Sequence, residues 1–511
     1  MKLRNLAVVF CAASALLAAC SSDEDASNGG AGAGSGGKNT AGAAGKSGGA
    51  GKGGGAGLET AGAAGEAGNL ESAGAGGVGG EGGAAIVEAF TVTLENIAPS
   101  RLFTSGGVFN TPVGDLAAGP ATPGKTYKFT VDAGRKQKLF FATMLAATND
   151  LFFAPNGDGI PLYLDNGTPI TADVTSQVYL WDAGTELNEE PFTGPNTATL
   201  QGAGNIGPVD TNTKVRKIAT VTEGVAFAYP AVASLIKVTV THTTGTLFDI
   251  TIDDLAAASL TTADTVVHPV PLSPGVWVVS GGANALFTDQ LPAPPYGLEA
   301  IAEDGKPATL GTYIAANAGI TYPASPGAWL LHKSGTKPLF TSGVTDLGEG
   351  LEAIAEDGNA APLGANLATL DGYLTGAVFN TPVGATTPGP ILPGSKYQFT
   401  FDASPGDSLS FASMLAATND VFLGPSDAGI PLFDADDVAL TGDVSSQVYL
   451  WDAGTERNEK PGIGPNTVTN QLAVNTGLAG EGKVQLLSAV TTDTYGYPSA
   501  QSVLKVTIST P

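Results

Sequence analysis

The stretch SQVYLWDAGTELNEEP, residues 176–191, returns 270 positions later as SQVYLWDAGTERNEKP, residues 446–461. The same offset relates VFNTPVG at 108–114 to 378–384, PGKTYKFTVDA at 123–133 to PGSKYQFTFDA at 393–403, and FATMLAATND at 141–150 to FASMLAATND at 411–420. Near the end, IKVT at 236–239 matches LKVT at 504–507 at a slightly shorter spacing. A pattern held at one spacing over so many segments means that the chain builds one plan twice. Tyr127-Lys128-Phe129-Thr130-Val131 and Lys237-Val238-Thr239-Val240 alternate polar and apolar residues, and Pro, Gly, Asn and Asp break such runs after a few positions. Alternation at period two half-buries a strand, and many short strands with frequent turns fold as sandwiches or barrels. Helical periodicity between strands, which a parallel sheet needs for its crossovers, is scarce. The expected fold is all-β, with two antiparallel β-sandwiches in tandem.

A smaller duplication lies inside the second copy. SPGVW at 273–277 returns as SPGAW at 325–329, and GLEAIAEDG at 297–305 returns at 350–358. Leu298, Ile301 and Ala302 share one helical face and Gly305 suits the position after a helix end, so each unit should add one short helix. The first copy runs almost directly from Leu102-Phe103-Thr104-Ser105-Gly106 into VFNTPVG, without SPGxW or GLEAIAEDG. It reads as an abbreviated domain, 85–244, followed by a fuller one, 245–511. Both are long enough to bury a core. Trp181, Trp451, Met144 and Met414 read as core residues. Trp277 and Trp329 follow Pro-Gly in an expected loop, and either pack under the sandwich or stand exposed.

The amino terminus has a different character. Lys2 and Arg4 precede an apolar run from Leu6 to Leu17, too short to span a bilayer and shaped like a secretory signal. Leu17-Ala18-Ala19-Cys20 resembles a bacterial lipobox, which makes 1–19 the signal peptide and Cys20 the lipidated first residue. An ordinary signal peptide ending at a small residue is the other reading. Serines after Cys20 suit an outer-membrane lipoprotein, and the acids behind them a position facing the cell exterior. The Gly/Ala/Ser-rich tract to residue 84 cannot bury a core and is expected to be a disordered tether, whose mean span as a coil is roughly 40 Å. Of the two cysteines, Cys11 leaves with the signal and Cys20 carries lipid, so disulfides and cysteine zinc sites are not expected. A net charge of -25 argues against nucleic acid as a partner, because the phosphate backbone needs a positive surface.

SPGVW, LFT, GLEAIAEDG, LPG before a strand, ASMLAATNDVF and YLWDAGTERNE, in that order, resemble the spondin domain of F-spondin, mindin and many secreted bacterial proteins. The second copy matches almost end to end with its middle unit doubled, the first only in its later half. The resemblance implies an antiparallel sandwich similar to C2 domains, a bound calcium ion, and a role in adhesion or matrix recognition, which mindin exercises through integrins. The chain departs from the animal pattern in its last acid, Glu for Asp, and in lacking disulfide cysteines.

Calcium takes six to eight oxygens from carboxylates, carbonyls and water. In DAGTE, Asp182 and Glu186 flank Gly184, so a curled loop can aim both at one point. The resemblance adds Asp150 from the TND segment, and the second set is Asp420, Asp452 and Glu456. Since Asp, Asn and Gly also favour turns, a purely structural acidic loop is the alternative. Asn188, Glu189 and Glu190 read as a solvated loop edge. Catalysis is not expected: glycosidase carboxylates face one another across a cleft, whereas these crowd one loop. No GxSxG elbow occurs in the folded part, and His242, His268 and His332 show no paired-ligand spacing. The expected function is a calcium-binding, lipid-anchored adhesion or matrix-recognition protein with an extracellular protein or glycan ligand. The alternative is an envelope structural lipoprotein in which calcium only stabilises the fold.

Overall fold

The computed structural model describes residues 86–218, 229–284, 286–491 and 494–511. The signal peptide, Cys20 and the tether expected at 1–84 lie outside them. The described chain is all-β and antiparallel, as its alternation requires, and residues 86–511 form one compact unit.

That unit contains two equivalent halves. The first is built on a seven-stranded sheet in which Ser105–Phe109, Leu272–Ser280, Lys138–Leu145, Leu151–Pro155, Val178–Asp182 and Arg216–Lys217 lie side by side and Ile160–Pro161 pairs with Lys138–Leu145. A four-stranded sheet of Thr126–Asp132, Leu247–Asp254, Ile236–Thr244 and Ala172–Asp173 faces it. The second half repeats the plan. Its wide sheet runs Tyr373–Phe379, Ala324–Lys333, Asp407–Leu415, Val421–Pro425, Val448–Asp452 and Gln485–Leu486, and its narrow sheet Lys396–Ala403, Glu88–Asn96, Leu504–Ser509 and Gly442–Asp443.

Glu88–Asn96 is therefore an inner strand of the second half, although it comes first in the chain. Thr91 to Asn96 pair with Ser509 to Leu504 on one side, and Glu88 to Glu95 with Ala403 to Lys396 on the other. Its alternate residues Phe90, Val92 and Leu94 are buried in that half's core with Tyr397, Phe411, Val506 and Ile508. The corresponding strand of the first half is Leu247–Asp254, whose Phe248, Ile250 and Ile252 meet Tyr127, Phe141 and Val238. The boundary expected at 244/245 is corrected by this pairing, since it would cut the hairpin that joins Ile236–Thr244 to Leu247–Asp254. The first half is not abbreviated either. SPGVW lies in the strand between Ser105–Phe109 and Lys138–Leu145, the place SPGAW takes in the second half. The described chain thus enters in the second half, crosses at 97–104 to build the first, and returns at 318–323. The crossings lie side by side: Phe103 forms an isolated bridge with Ala318, the Gly319 amide donates to the Phe103 carbonyl at 2.9 Å, and the Arg101 amide donates to Thr321 Oγ1 at 2.9 Å.

Each GLEAIAEDG forms the expected helix, Leu298–Asp304 or Leu351–Asp357, and ends at Gly305 or Gly358 in the left-handed region. These helices and the ones that follow, Ala308–Asn317 and Ala361–Asn366, cover the outer face of each wide sheet. Leu298, Ile301, Leu310 and Ile314 bury Phe140, Phe152, Trp181 and Val276 in the first half; Leu351, Ile354 and Leu363 bury Phe422 and Trp451 in the second. Each half is thus three layers deep, and the tryptophan of YLWDAG is a core residue in both, as are Met144 and Met414. Trp277 and Trp329 lie in strands rather than loops, just past a register shift at the Pro-Gly step. Trp329 stacks on Phe399 with ring centroids 4.9 Å apart, and Trp277 stacks on Phe129 at 5.5 Å.

One buried polar position differs between the halves. At the end of Glu88–Asn96, the Asn96 amide donates to the carbonyls of Tyr322 and Ile391 at 2.9 and 3.0 Å, and its oxygen accepts from the Ala98 amide. The corresponding residue, by backbone bonds to Lys125 and Gly124 that match those of Asn96 to Ser395 and Gly394, is Asp254. Its carboxyl oxygens are buried without a hydrogen-bond partner, and burial pushes the group up to about 8. A carboxylate offers a carbonyl nothing, whereas a neutral carboxyl can donate.

Two outcomes follow from this architecture. Val92→Ala should cost about 2 kcal/mol and, in hydrogen exchange, should deprotect Lys396–Ala403 and Leu504–Ser509 while leaving Thr126–Asp132 unchanged; deprotection of the first half instead would refute the crossed pairing. For Asp254, the native state keeps a proton that the unfolded chain has released between about pH 4 and about pH 8, so its contribution to stability falls as pH rises through that window. Asp254→Asn should remove this slope and raise stability near pH 8 by about 1–3 kcal/mol, read from melts at several pH values. A variant with an unchanged pH profile would show that Asp254 does not titrate between the two states.

Candidate cation site

Both copies of TND and DAGTE lie where two adjacent strands of the wide sheet end. Leu151 and Asp182 are opposed in the sheet, as are Val421 and Asp452, so Asp150 and Asp420 sit one residue outside the register pair. Asparagine clamps the two loops together: the Asn149 amide donates to the Leu187 carbonyl at 3.0 Å while its oxygen accepts from the Glu189 amide at 3.1 Å. Asn419 does the same with Arg457 and Glu459 at 2.9 and 3.1 Å. Asp150 Oδ2 accepts from the amides of Thr185 and Glu186 at 3.2 and 3.1 Å, and Asp182 Oδ1 from that of Gly184 at 2.6 Å. Gly184 has φ +68°, and a Cβ there would stand 2.6 Å from the Lys214 carbonyl oxygen, so the loop needs glycine for both reasons. Gly454 meets the same constraint against Lys483.

The structure brings two of the three expected acids together in each copy. Asp150 and Asp182 are 0 % exposed, Asp420 is 0 % and Asp452 3 %. Burial, then the charge of Asp182, pushes the Asp150 carboxyl well above the usual carboxylate range; burial, then Asp452, does the same to Asp420. Asp182 is held up to about 6 by burial, against the pull of Asn188 and Arg216. The third acid faces elsewhere. Glu186 accepts from the Gly207 amide at 2.6 Å and Glu456 from that of Gly477 at 2.5 Å, so each pins a neighbouring loop rather than joining the aspartates. Among the described residues, no three His, Cys, Asp or Glu side chains converge as a metal centre.

Beside each aspartate pair lie an amide and, on another element, a further buried acid. Asn188, expected at a solvated edge, is buried and donates to Asp182 Oδ2; Asn458 does so to Asp452. Glu189 is half-buried and accepts from the Asn196 backbone and side-chain amides at 2.8 and 2.6 Å, whereas Glu190 stays at the exposed edge, where it accepts from the Ala263 amide and the Thr193 hydroxyl. Glu303, in the last turn of the GLEAIAEDG helix, is buried at the same loops and pushed up to about 8, chiefly by desolvation; its counterpart Glu356 rises to about 7 for the same reason. Sequence reading missed Asn188 because polar loop residues are commonly solvated, and missed Glu303 because it lies off the helix's apolar stripe. The signal present was the return of both residue types at matching places in both copies.

The polar atoms left over show what this arrangement can hold. Asp150 Oδ1 and Asn188 Oδ1 are buried and accept no hydrogen bond within the protein, and the same atoms of Asp420 and Asn458 are in the same condition, whereas the Thr185 and Thr455 hydroxyls lie beside the carboxyls of Glu303 and Glu356. An orphaned buried acceptor costs about 1–3 kcal/mol, so each of these oxygens needs a proton, a water or an ion beside it. Carboxylate and amide oxygens are the hard donors that calcium takes, with backbone carbonyls and water completing its shell. The donor types suit such an ion, while only two acids, not three, meet in each copy.

No protein-family model matches this chain, and no curated protein matches it.

Proposed function

We propose that this chain is a lipid-anchored, surface-displayed protein of the spondin type, whose paired aspartate loops bind calcium and which serves adhesion or matrix recognition. The carrying observation is the pair of buried, unpartnered oxygens Asp420 Oδ1 and Asn458 Oδ1, repeated on Asp150 and Asn188. An oxygen-seeking dication satisfies those atoms and separates the like charges of each aspartate pair. The anchor rests on the lipobox-like Leu17-Ala18-Ala19-Cys20, and the adhesive role on the order of the repeated motifs. A binding module is favoured over an enzyme because the acids are committed to backbone amides and to one another. A second reading, an envelope structural protein whose ion only stiffens the loops, is favoured by depth: Asp150 and Asp420 expose nothing to solvent, so a bound ion would be enclosed rather than offered to a ligand.

The test is thermal unfolding of the full chain in detergent with calcium or with chelator. At about 100 times the dissociation constant, calcium should add about 2.7 kcal/mol and raise Tm by a few degrees. Asp420→Ala with Asp452→Ala should reduce that gain, and an unchanged Tm in wild type would reject the calcium reading. Protease shaving of intact cells, followed by attachment to an extracellular-matrix surface with and without chelator, separates the two roles. Cleavage at the surface and chelator-sensitive attachment support adhesion; a protected chain supports the envelope reading.

A further inference from the structure

The strands that carry the aspartate loops of the first half have a second polar end. Leu151 meets Asp182 at one end of the pair and Pro155 meets Val178 at the other, where the turn after Pro155 and the turn before Val178 border an open cavity of about 400 Å³. Lys138, Asp158, Asp165, Ser176, Gln177 and Tyr179 line it. The volume suits a small-molecule site, about 300–1,000 Å³, but such sites are mostly apolar, and this lining is rich in hydrogen-bonding side chains. Its frame is fixed from behind. Lys138 pairs with Pro161 in the sheet, and Gly159 sits so close to the Phe140 ring that a Cβ there would stand 2.5 Å from it. The Asn156 side chain accepts from the Asp158 amide at 3.0 Å, and Lys217 Nζ stands 3.4 Å over the centre of the Tyr179 ring. Among the described residues, none offers a hydrogen bond or a counter-ion to the side chains of Lys138, Asp158, Asp165, Ser176 or Gln177. Their bonding capacity meets in one concavity and is left unspent.

The second half shows that the fold does not need these groups. At the same offset, Ser408, Ala428 and Ala435 stand where the first half has Lys138, Asp158 and Asp165, and Ser408 pairs with Pro431 as Lys138 does with Pro161. Leu486 opposes Trp451 where Lys217 opposes Trp181, so the ring of Tyr449 has no lysine in the corresponding place. The acids that the second half does carry in these turns are committed to the protein. Asp427 accepts from Lys337 Nζ and the Ser342 amide at 2.8 and 3.0 Å, and Asp434 Oδ1 from the amides of Asp436 and Val438, both at 2.9 Å. One scaffold position thus holds structural acids in one half and free ones in the other.

We infer that the cavity of the first half binds a neutral or amino sugar of a glycan, with Asp158, Asp165 and Gln177 on its hydroxyls and Tyr179 against its ring. Each carboxylate oxygen accepts from a hydroxyl, and an amide both donates and accepts, so the lining matches a molecule that presents hydroxyls on several sides. Lys138 and Ser176 supply the donors that hydroxyl and ring oxygens take. The half-buried Tyr179 adds an apolar face for the C–H groups of a pyranose. Charge selects within the class: two carboxylates against one ammonium repel phosphate, sulfate and uronate groups. The cavity lies at the far end of the strands from the aspartate loops, so its chemistry does not depend on the calcium reading.

The experiment is binding of the full chain in detergent to an array of neutral, amino and acidic oligosaccharides, with bound members titrated by calorimetry in calcium and in chelator. Wild type should bind neutral or amino members, pass over uronates and sulfated glycans, and keep its affinity in chelator. Asp158→Ala with Asp165→Ala, which copies the second half into the first, should weaken binding at least about tenfold and leave Tm unchanged. Tyr179→Ala should also weaken it, whereas Tyr449→Ala, the matching change in the second half, should not. If the double variant does not fold, Gln177→Ala and Asp165→Asn give the same readout. No binding to neutral or amino members, a preference for acidic ones, or affinity that the changes at 158, 165 and 177 leave intact would each overturn the inference. None of these outcomes touches the calcium reading, which stands or falls on melting with and without chelator.

Discussion

An inner strand of a sheet has no substitute. Lys396–Ala403 and Leu504–Ser509 do not pair with each other; each pairs with Glu88–Asn96, which fills the space between them. Without that strand both would present a row of unpaired amides and carbonyls, and the cavity left by Phe90, Val92 and Leu94 would open the second core to water. The carboxy-terminal half therefore depends on the first residues of the folded chain. The return crossing at 318–323 lies against the outgoing one at 97–104, so neither half can be separated at a single cut in the chain. Side-chain contacts reinforce the join, including Gln137 Nε2 to the Gly462 carbonyl at 2.9 Å and the Lys460–Asp132 ion pair at 2.5 Å, although an exposed pair of that kind adds at most about 1 kcal/mol.

The crossing also explains the inner duplication. Read along the chain, SPGVW and GLEAIAEDG are a surplus in the second copy and a deficit in the first. In space the surplus fills the deficit. The SPGVW strand closes the first wide sheet, and the helix behind it supplies Glu303 to the first site as its duplicate supplies Glu356 to the second. The duplicated unit is thus a structural necessity for the first half, and it is also the source of an acid that the loops themselves do not contain.

The strands and the two short helices with their glycine ends were legible because each depends on local spacing, and local spacing is what a sequence displays; the meeting of TND with DAGTE came from the resemblance alone. The partner of a strand is a long-range fact. FTVTLEN at 90–96 and FDITIDD at 248–254 share a pattern of alternation more than an identity of residues, and either would fit either sheet by pattern alone. A boundary drawn at the end of the first IKVT repeat consequently fell inside a hairpin. The direction of Glu186 was illegible for a related reason. Its spacing from Asp182 permits convergence, but the Gly207 amide, contributed by a loop 21 residues away, competes for the same carboxylate and wins. Arg216 escaped notice because repeats draw attention to what two copies share, and here the chemistry lies in what they do not.

The same logic applies wherever the halves differ in a buried polar group. Asn96 and Asp254 occupy one structural position, as do Gln485 and Arg216, and in each pair one half holds a neutral amide where the other holds an ionisable or charged group. An exposed substitution of this sort changes little, since water solvates either residue. In a site with no solvent, a charge must be neutralised by protonation, by an internal counter-ion or by a bound one. Asp254 has burial to favour the first solution, and Asp182 has Arg216 for the second. At the second site a neutral amide, Gln485, is opposite Asp452 in the sheet. A duplicated scaffold can in this way keep its packing and still separate the chemistry of its copies through very few buried positions.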